Sequence, residues 1–211
     1  MKIFSHLSPE YIKPKVENGA YLYSEEIIKY IIPNVDTSRN WVTLCVQDMA
    51  YNDSIVFIHD NVNTKRYKYL LDYHNLILVC GVKDTMPKVK HFGLHTIYLP
   101  LSVKVSNVAK YKTTKTRDVC YAGRKGKINS DLVTGVDRLE DLPHEELLKQ
   151  MAKYKYVYAV GRTAIEAKIL GCEILPFDPR YPDPEIWRVL DSYDAAKILE
   201  AKLTQIDGLN I

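Results

Sequence analysis

Residues 156–176, YVYAVGRTAIEAKILGCEILP, hold the densest set of groups able to do chemistry. An apolar run, 156–160, ends at Gly161; residues 163–170 have helical character, Gly171 stops them, and a second apolar run follows. A strand, a sharp turn and a helix in that order present unpaired backbone amides at the helix start, which favour an anion such as a diphosphate. Gly161 lets the backbone come close to a ligand, Thr163 is placed to cap the helix, and Arg162 adds a planar cationic fork suited to phosphate. Glu166 falls one turn further on, where a carboxylate can accept two hydroxyl hydrogen bonds from a ribose. The same residues also fit a plain connection with a solvent-facing glutamate.

Two other segments end in reactive side chains. Val119-Cys120-Tyr121-Ala122-Gly123-Arg124-Lys125-Gly126-Lys127 is an apolar run closing on glycine and cations. Ile55-Val56-Phe57-Ile58-His59-Asp60-Asn61 places a histidine and an aspartate at the carboxyl end of a buried strand, where either can deprotonate a hydroxyl. The alternative is that Asp60 and Asn61 make a turn and cap the next helix, with His59 packed or solvated. His91 and His95 have Gly93 between them, so a helical metal pair is not expected. No P-loop, nucleophile-elbow or zincin motif is present. Cys45, Cys80, Cys120 and Cys172 are far apart and mostly within apolar runs, which predicts buried reduced thiols.

The elements that must position these groups are short. Predicted strands cover residues 3–4, 41–46, 54–59, 76–80 and 96–99, then 119–122, 132–134, 156–160 and 173–176. Their apolar residues are nearly continuous, as in parallel strands covered on both faces. Between them lie helical patterns: one opening at Ser24 and ended by Pro33, residues 63–73, residues 143–151 with Pro143 in the first turn, and residues 163–170. Another opens at Asp183 and a last one spans 192–203. Alternation of this kind predicts an α/β protein of two small Rossmann-like lobes with mostly parallel sheets. The polar, basic stretch 104–117 reads as a linker between an N-terminal lobe, 1–103, and a C-terminal lobe, 118–211.

On these motifs the chain resembles the GT-B glycosyltransferases, and residues 96–176 match their nucleotide-binding half in order. The similarity rests on Tyr98-Leu99-Pro100 before the second lobe, Gly123-Arg124-Lys125 at the end of its first strand, and Gly161 through Glu166 to Gly171-Cys172. It implies that Gly123, Arg124, Lys125, Gly161, Arg162 and Thr163 contact the diphosphate, and that Glu166 holds the ribose. It also implies a nucleotide diphosphate sugar as donor, no cofactor and no metal, with His59 or Asp60 as the base toward an acceptor. Many retaining members carry a further glutamate eight positions before the ribose glutamate; Tyr158 stands there. The stretch 125–142 is too short for the usual first helix of that half.

Composition bounds the partners. The 211 residues are 46% apolar, enough for a real core, and the net charge of +3 is too mild to mark a dedicated nucleic-acid binder. No apolar run approaches the ~20 residues that span a bilayer, and the N-terminus lacks the apolar core of a signal peptide, so a cytoplasmic protein is expected. The expected activity is transfer of a sugar to an unknown acceptor, DNA included. The alternatives are a catalytically inactive protein of the same fold, or a nucleic-acid-associated factor using the basic segment 110–127.

Overall fold

The computed structural model describes residues 1–5, 7–8, 19–43, 49–59, 64–126 and 129–208. The protein is α/β, with a five-stranded and a four-stranded sheet, both parallel, consistent with two Rossmann-like lobes. Each sheet belongs to its own compact unit: Met1–Ser102 with Ser192–Ile211, and Val103–Asp191.

In the first unit, β1 (Ile3–Phe4), β2 (Asn40–Val42), β3 (Ser54–Ile58), β4 (Ile77–Cys80) and β5 (His95–Tyr98) lie side by side in chain order. Every residue of β3 and β4 is buried. Phe4, Val42, Val56, Ile58, Leu78 and Cys80 form one apolar layer with Leu70 and Val89. The alternate residues Trp41, Ile55, Phe57, Ile77 and Val79 are buried on the other face, where Trp41 stacks on Phe57 at 6.2 Å between ring centroids. Both faces are covered, and that is why the strands read as unbroken apolar runs.

Helix α1 (Gly19–Glu26) begins earlier than expected. Ser24 lies inside it, fully buried, with Oγ 2.6 Å from Thr43 Oγ1, so its hydroxyl is satisfied across the core and not by a helix amide. The helix continues through a π turn, Ile27–Ile31, and a 3-10 turn, Ile32–Asn34, which contains Pro33. A 3-10 helix, Thr64–Asp72, occupies most of the next predicted helix, and α2 (Met86–Val89) precedes β5. The chain's last helix, Ser192–Gly208, also belongs here and not to the C-terminal lobe expected from sequence. Ser192 Oγ donates to the buried Glu26 carboxylate at 2.9 Å, Glu200 accepts the Asp36 amide at 3.0 Å, and Asp207 pairs with Arg39 at 3.1 Å.

The second unit contains α3 (Val105–Ala109), β6 (Arg117–Gly123), β7 (Asp137–Glu140), α4 (His144–Met151), β8 (Tyr154–Tyr158), α5 (Arg162–Ile169) and β9 (Glu173–Leu175). Across the sheet the order is β7-β6-β8-β9. The strand expected at 132–134 is instead the end of a 3-10 turn, Ser130–Leu132, and a loop; the strand of that region is β7. Its sequence Asp-Arg-Leu-Glu is polar because it forms an open sheet edge, where charged side chains are at home.

The stretch 104–117 is not a plain linker. It includes α3, and its Lys115 ammonium donates to the carbonyls of Ala152 and Leu170, both at 2.9 Å, and to Cys172 Sγ at 3.1 Å. Those carbonyls close α4 and α5, where a cation complements the negative end of each helix. Cys80, Cys120 and Cys172 are buried free thiols. Burial, with smaller contributions from the neighbouring Cys172 and Asp137, pushes the Cys120 thiol up to about 12. Cys45 lies outside the described residues.

Candidate functional site

In doubly wound sheets a ligand crevice opens at the carboxyl ends of the strands, where the strand order reverses and flanking loops part. The first sheet runs in strict chain order and has no reversal among its described strands. In the second sheet the reversal lies between β6 and β8, which pair from Arg117↔Tyr154 to Tyr121↔Tyr158. Both glycine-ended segments of the sequence finish there, residues 123–125 at the end of β6 and 161–163 after β8.

Gly123 is required by space. A Cβ on it would stand 2.7 Å from Tyr121 Oη. Tyr121 cannot yield easily: it is fully buried, donates to the Arg124 carbonyl at 3.3 Å, and has the Arg138 guanidinium 4.5 Å from its ring centroid. Arg124 and Lys125 are exposed beyond it. Asp141 fastens this loop, its amide donating to Gly123 O at 3.3 Å and its carboxylate accepting the Lys125 amide at 3.2 Å.

Gly161 is required by conformation. Its φ of 67° and ψ of −140° lie close to a region that only glycine occupies freely, yet no atom comes within 4 Å of where a Cβ would sit. Gly161→Ala should therefore cost about 1–3 kcal/mol, wholly through the backbone, with no clash to relieve. Urea unfolding reads this; unchanged stability would mean that the turn has another conformation in solution.

Helix α5 starts without a side-chain cap, and Thr163, expected to provide one, sits within the first turn. The Ala164 and Ile165 amides both turn to Gly161 O, at 3.1 and 3.3 Å, while the Thr163 amide donates to no group among the described residues. An open donor at a helix start is the feature that favours an anion.

Glu166 overturns its expected role. It is 1% exposed, and Oε1 accepts Arg162 Nε at 2.6 Å and lies 2.9 Å from His144 Nε2. Burial alone would push its carboxyl pKa up. The Arg162 charge, then the hydrogen bond and charge of His144, outweigh burial and hold it below the ordinary carboxylate range. Neither a ribose nor bulk water reaches it, because α5 turns this position toward α4. Arg162 is drawn inward with it, its side chain only 9% exposed, so the guanidinium serves Glu166 and not an open diphosphate position. His144 escaped the sequence reading because its partner is 22 residues away.

Beside the reversal, Leu132, Val133, Thr134, Tyr158, Pro176 and Phe177 surround a hollow of about 360 Å³. Phe177 stands edge-on to Tyr121 and Tyr158, at 5.6 and 6.4 Å. The flanking loops are tied by Asp178, 1% exposed, which accepts the Arg180 guanidinium, the Arg180 amide at 3.1 Å and Asn129 Nδ2 at 2.9 Å. Burial pushes its pKa up, but the Arg180 and Asn129 hydrogen bonds hold it below the usual range.

The first unit does not present His59 as a base. Its Nε2 lies 2.9 Å from the Thr43 carbonyl, its Nδ1 is buried, and its ring is edge-on to Tyr23 at 4.9 Å. The ring is held by these contacts, with Nε2 engaged on a backbone carbonyl and Nδ1 closed to solvent. Asp60 lies outside the described residues. The basic segment 110–127 is also partly engaged: Lys115 holds helix ends, and Arg117 bonds Asp137 at 3.2 Å and Tyr154 Oη at 2.9 Å. Lys127 is outside the described residues.

Fold and site together define the class, an α/β protein of two parallel-sheet units with a ligand crevice expected at the reversal of the second sheet. No known protein family, no curated protein and no solved structure matches the chain. Among the described residues, no helix is long and apolar enough to cross a membrane.

Proposed function

We propose that the chain binds a nucleotide diphosphate sugar at the carboxyl end of its second sheet and transfers the sugar to an acceptor hydroxyl. The observation that carries this reading is that the two segments resembling the GT-B nucleotide half flank a single reversal of strand order. The diphosphate rests on the open first turn of α5, with Arg124 and Lys125 as exposed cations. The base lies in the hollow against Tyr158 and Phe177, which offer apolar and aromatic surface. On transfer, the bond from the sugar to the diphosphate breaks, one to the acceptor oxygen forms, and the acceptor proton passes to a base. Positive groups around the departing diphosphate stabilise its developing charge without a metal. Asp60 remains the base candidate in this reading.

The engagement of His59 favours a second reading, a catalytically inactive protein that retains nucleotide binding. A thermal melt with uridine, adenosine and guanosine diphosphates tests the part common to both. Ligand at a hundred times its Kd should add about 2.7 kcal/mol of stability, and the double change Arg124→Ala with Lys125→Ala should shrink that gain. No shift with any of the three would refute nucleotide binding. Release of nucleoside diphosphate from a nucleotide sugar, with DNA among the acceptors tried, separates the transferase from the inactive protein.

A further inference from the structure

Glu166 Oε1 holds both Arg162 Nε and His144 Nε2, and the two ends of the His144 contact differ in exposure. The Glu166 side chain is 2% exposed, whereas that of His144 is 29% exposed, so the imidazole reaches from a buried anchor to the surface. Its Nε2 is on the carboxylate. Its Nδ1 is neither buried nor hydrogen-bonded among the described residues. A carboxylate behind one ring nitrogen fixes the orientation of the ring and so the direction of the other.

His144 opens α4. Three residues before it, Asp141 fastens residues 123–125 by its amide and carboxylate. On the other side, Glu166 ties the ring to the first turns of α5. The imidazole thus stands between the loop that leaves β7 and the first turns of α5. Arg124 and Lys125 are exposed on the fastened loop, the Thr163 amide is open at the start of α5, and the nearby carboxylates are engaged, Asp141 on the Lys125 amide and Glu145 on Lys149. Arg162 and Glu166 neutralise one another. With both ring nitrogens protonated, one N–H lies on Glu166 and the other has no acceptor among the described residues, a place that an anionic oxygen completes.

We propose that His144 is a phosphate-contacting residue, held by Glu166 so that Nδ1–H donates to a phosphate oxygen of the bound nucleoside diphosphate. The proposal rests on the nucleotide reading of this site and adds a residue that reading does not contain.

The test is calorimetric titration of uridine diphosphate and of inorganic diphosphate into wild type and His144→Gln. Labelling of wild-type His144 by diethyl pyrocarbonate, mapped by peptide mass with and without uridine diphosphate, accompanies it. Glutamine can keep the hydrogen bond to Glu166 while removing the charged donor, so the fold should persist. Affinity should fall about tenfold to a hundredfold, the weight of a charge-assisted hydrogen bond, and ligand should slow the labelling. If wild type binds but the variant binds equally well, or labelling proceeds at one rate with and without ligand, His144 is not a contact and nucleotide binding stands. If wild type binds neither diphosphate, both ideas fall. Should the variant not fold, the labelling of wild type decides alone.

Discussion

Glu166→Ala should destabilise the second unit by about 3–5 kcal/mol, the cost of removing one partner from a buried ion pair. The charge left behind is Arg162, whose side chain is 9% exposed and whose Nε bonds Glu166 at 2.6 Å. His144 Nε2 loses its partner in the same step. Glu166→Gln should cost less, because an amide oxygen still accepts from one of them. The carboxyl pKa in the folded chain lies below its ordinary 4.5. The unfolded chain therefore binds the proton more readily, so the contribution of Glu166 is complete above 4.5 and is lost as pH falls through the folded value. Urea unfolding of wild type and Glu166→Ala at neutral pH and at successively lower pH measures both effects. The gap between the two proteins should narrow on acidification, and equal stability at neutral pH would mean that the pair is not buried in solution.

The parallel sheets were legible in the sequence because both faces are covered. Residues 55–58 and 77–80 are apolar without interruption, and each proves to be a fully buried strand. The same logic concealed β7, which lies at an edge and has two exposed residues among its four. The allegiance of the last helix was not legible either. A buried helix face announces that it packs, but tertiary contacts such as that of Ser192 with Glu26, 166 residues apart, say against what. At the site, Gly123 and Gly161 stood out as glycines, but for two different physical reasons that only the geometry separates, a close tyrosine and a strained turn. Glu166 was visible as a residue with a role. Its burial depends on where α4 lies, which is a tertiary fact, so spacing alone pointed it at a ribose.

Asp178→Ala should cost about 2–3 kcal/mol, below the figure for a fully buried pair because Arg180 keeps contact with water. The Arg180 side chain is 29% exposed while that of Asp178 is 0% exposed. The loss is not confined to charge. Asn129 has a left-handed backbone, φ 66°, and its side-chain amide reaches Asp178 from the loop that continues to Leu132, Val133 and Thr134. Asp178 itself directly follows Pro176 and Phe177 on the opposite wall of the hollow. One carboxylate thus joins both walls. Removing it should weaken any ligand that uses the hollow, beyond the loss of stability. Asp178→Asn supplies one acceptor oxygen but turns an amide donor toward guanidinium donors, so it should recover only part of either effect. Urea unfolding gives the stability of each variant, and calorimetric titration of uridine diphosphate gives its affinity. A ligand that binds Asp178→Ala as tightly as wild type would show that the walls hold their spacing without this tie, or that the base sits elsewhere. Stability unchanged in Asp178→Ala would remove the network itself.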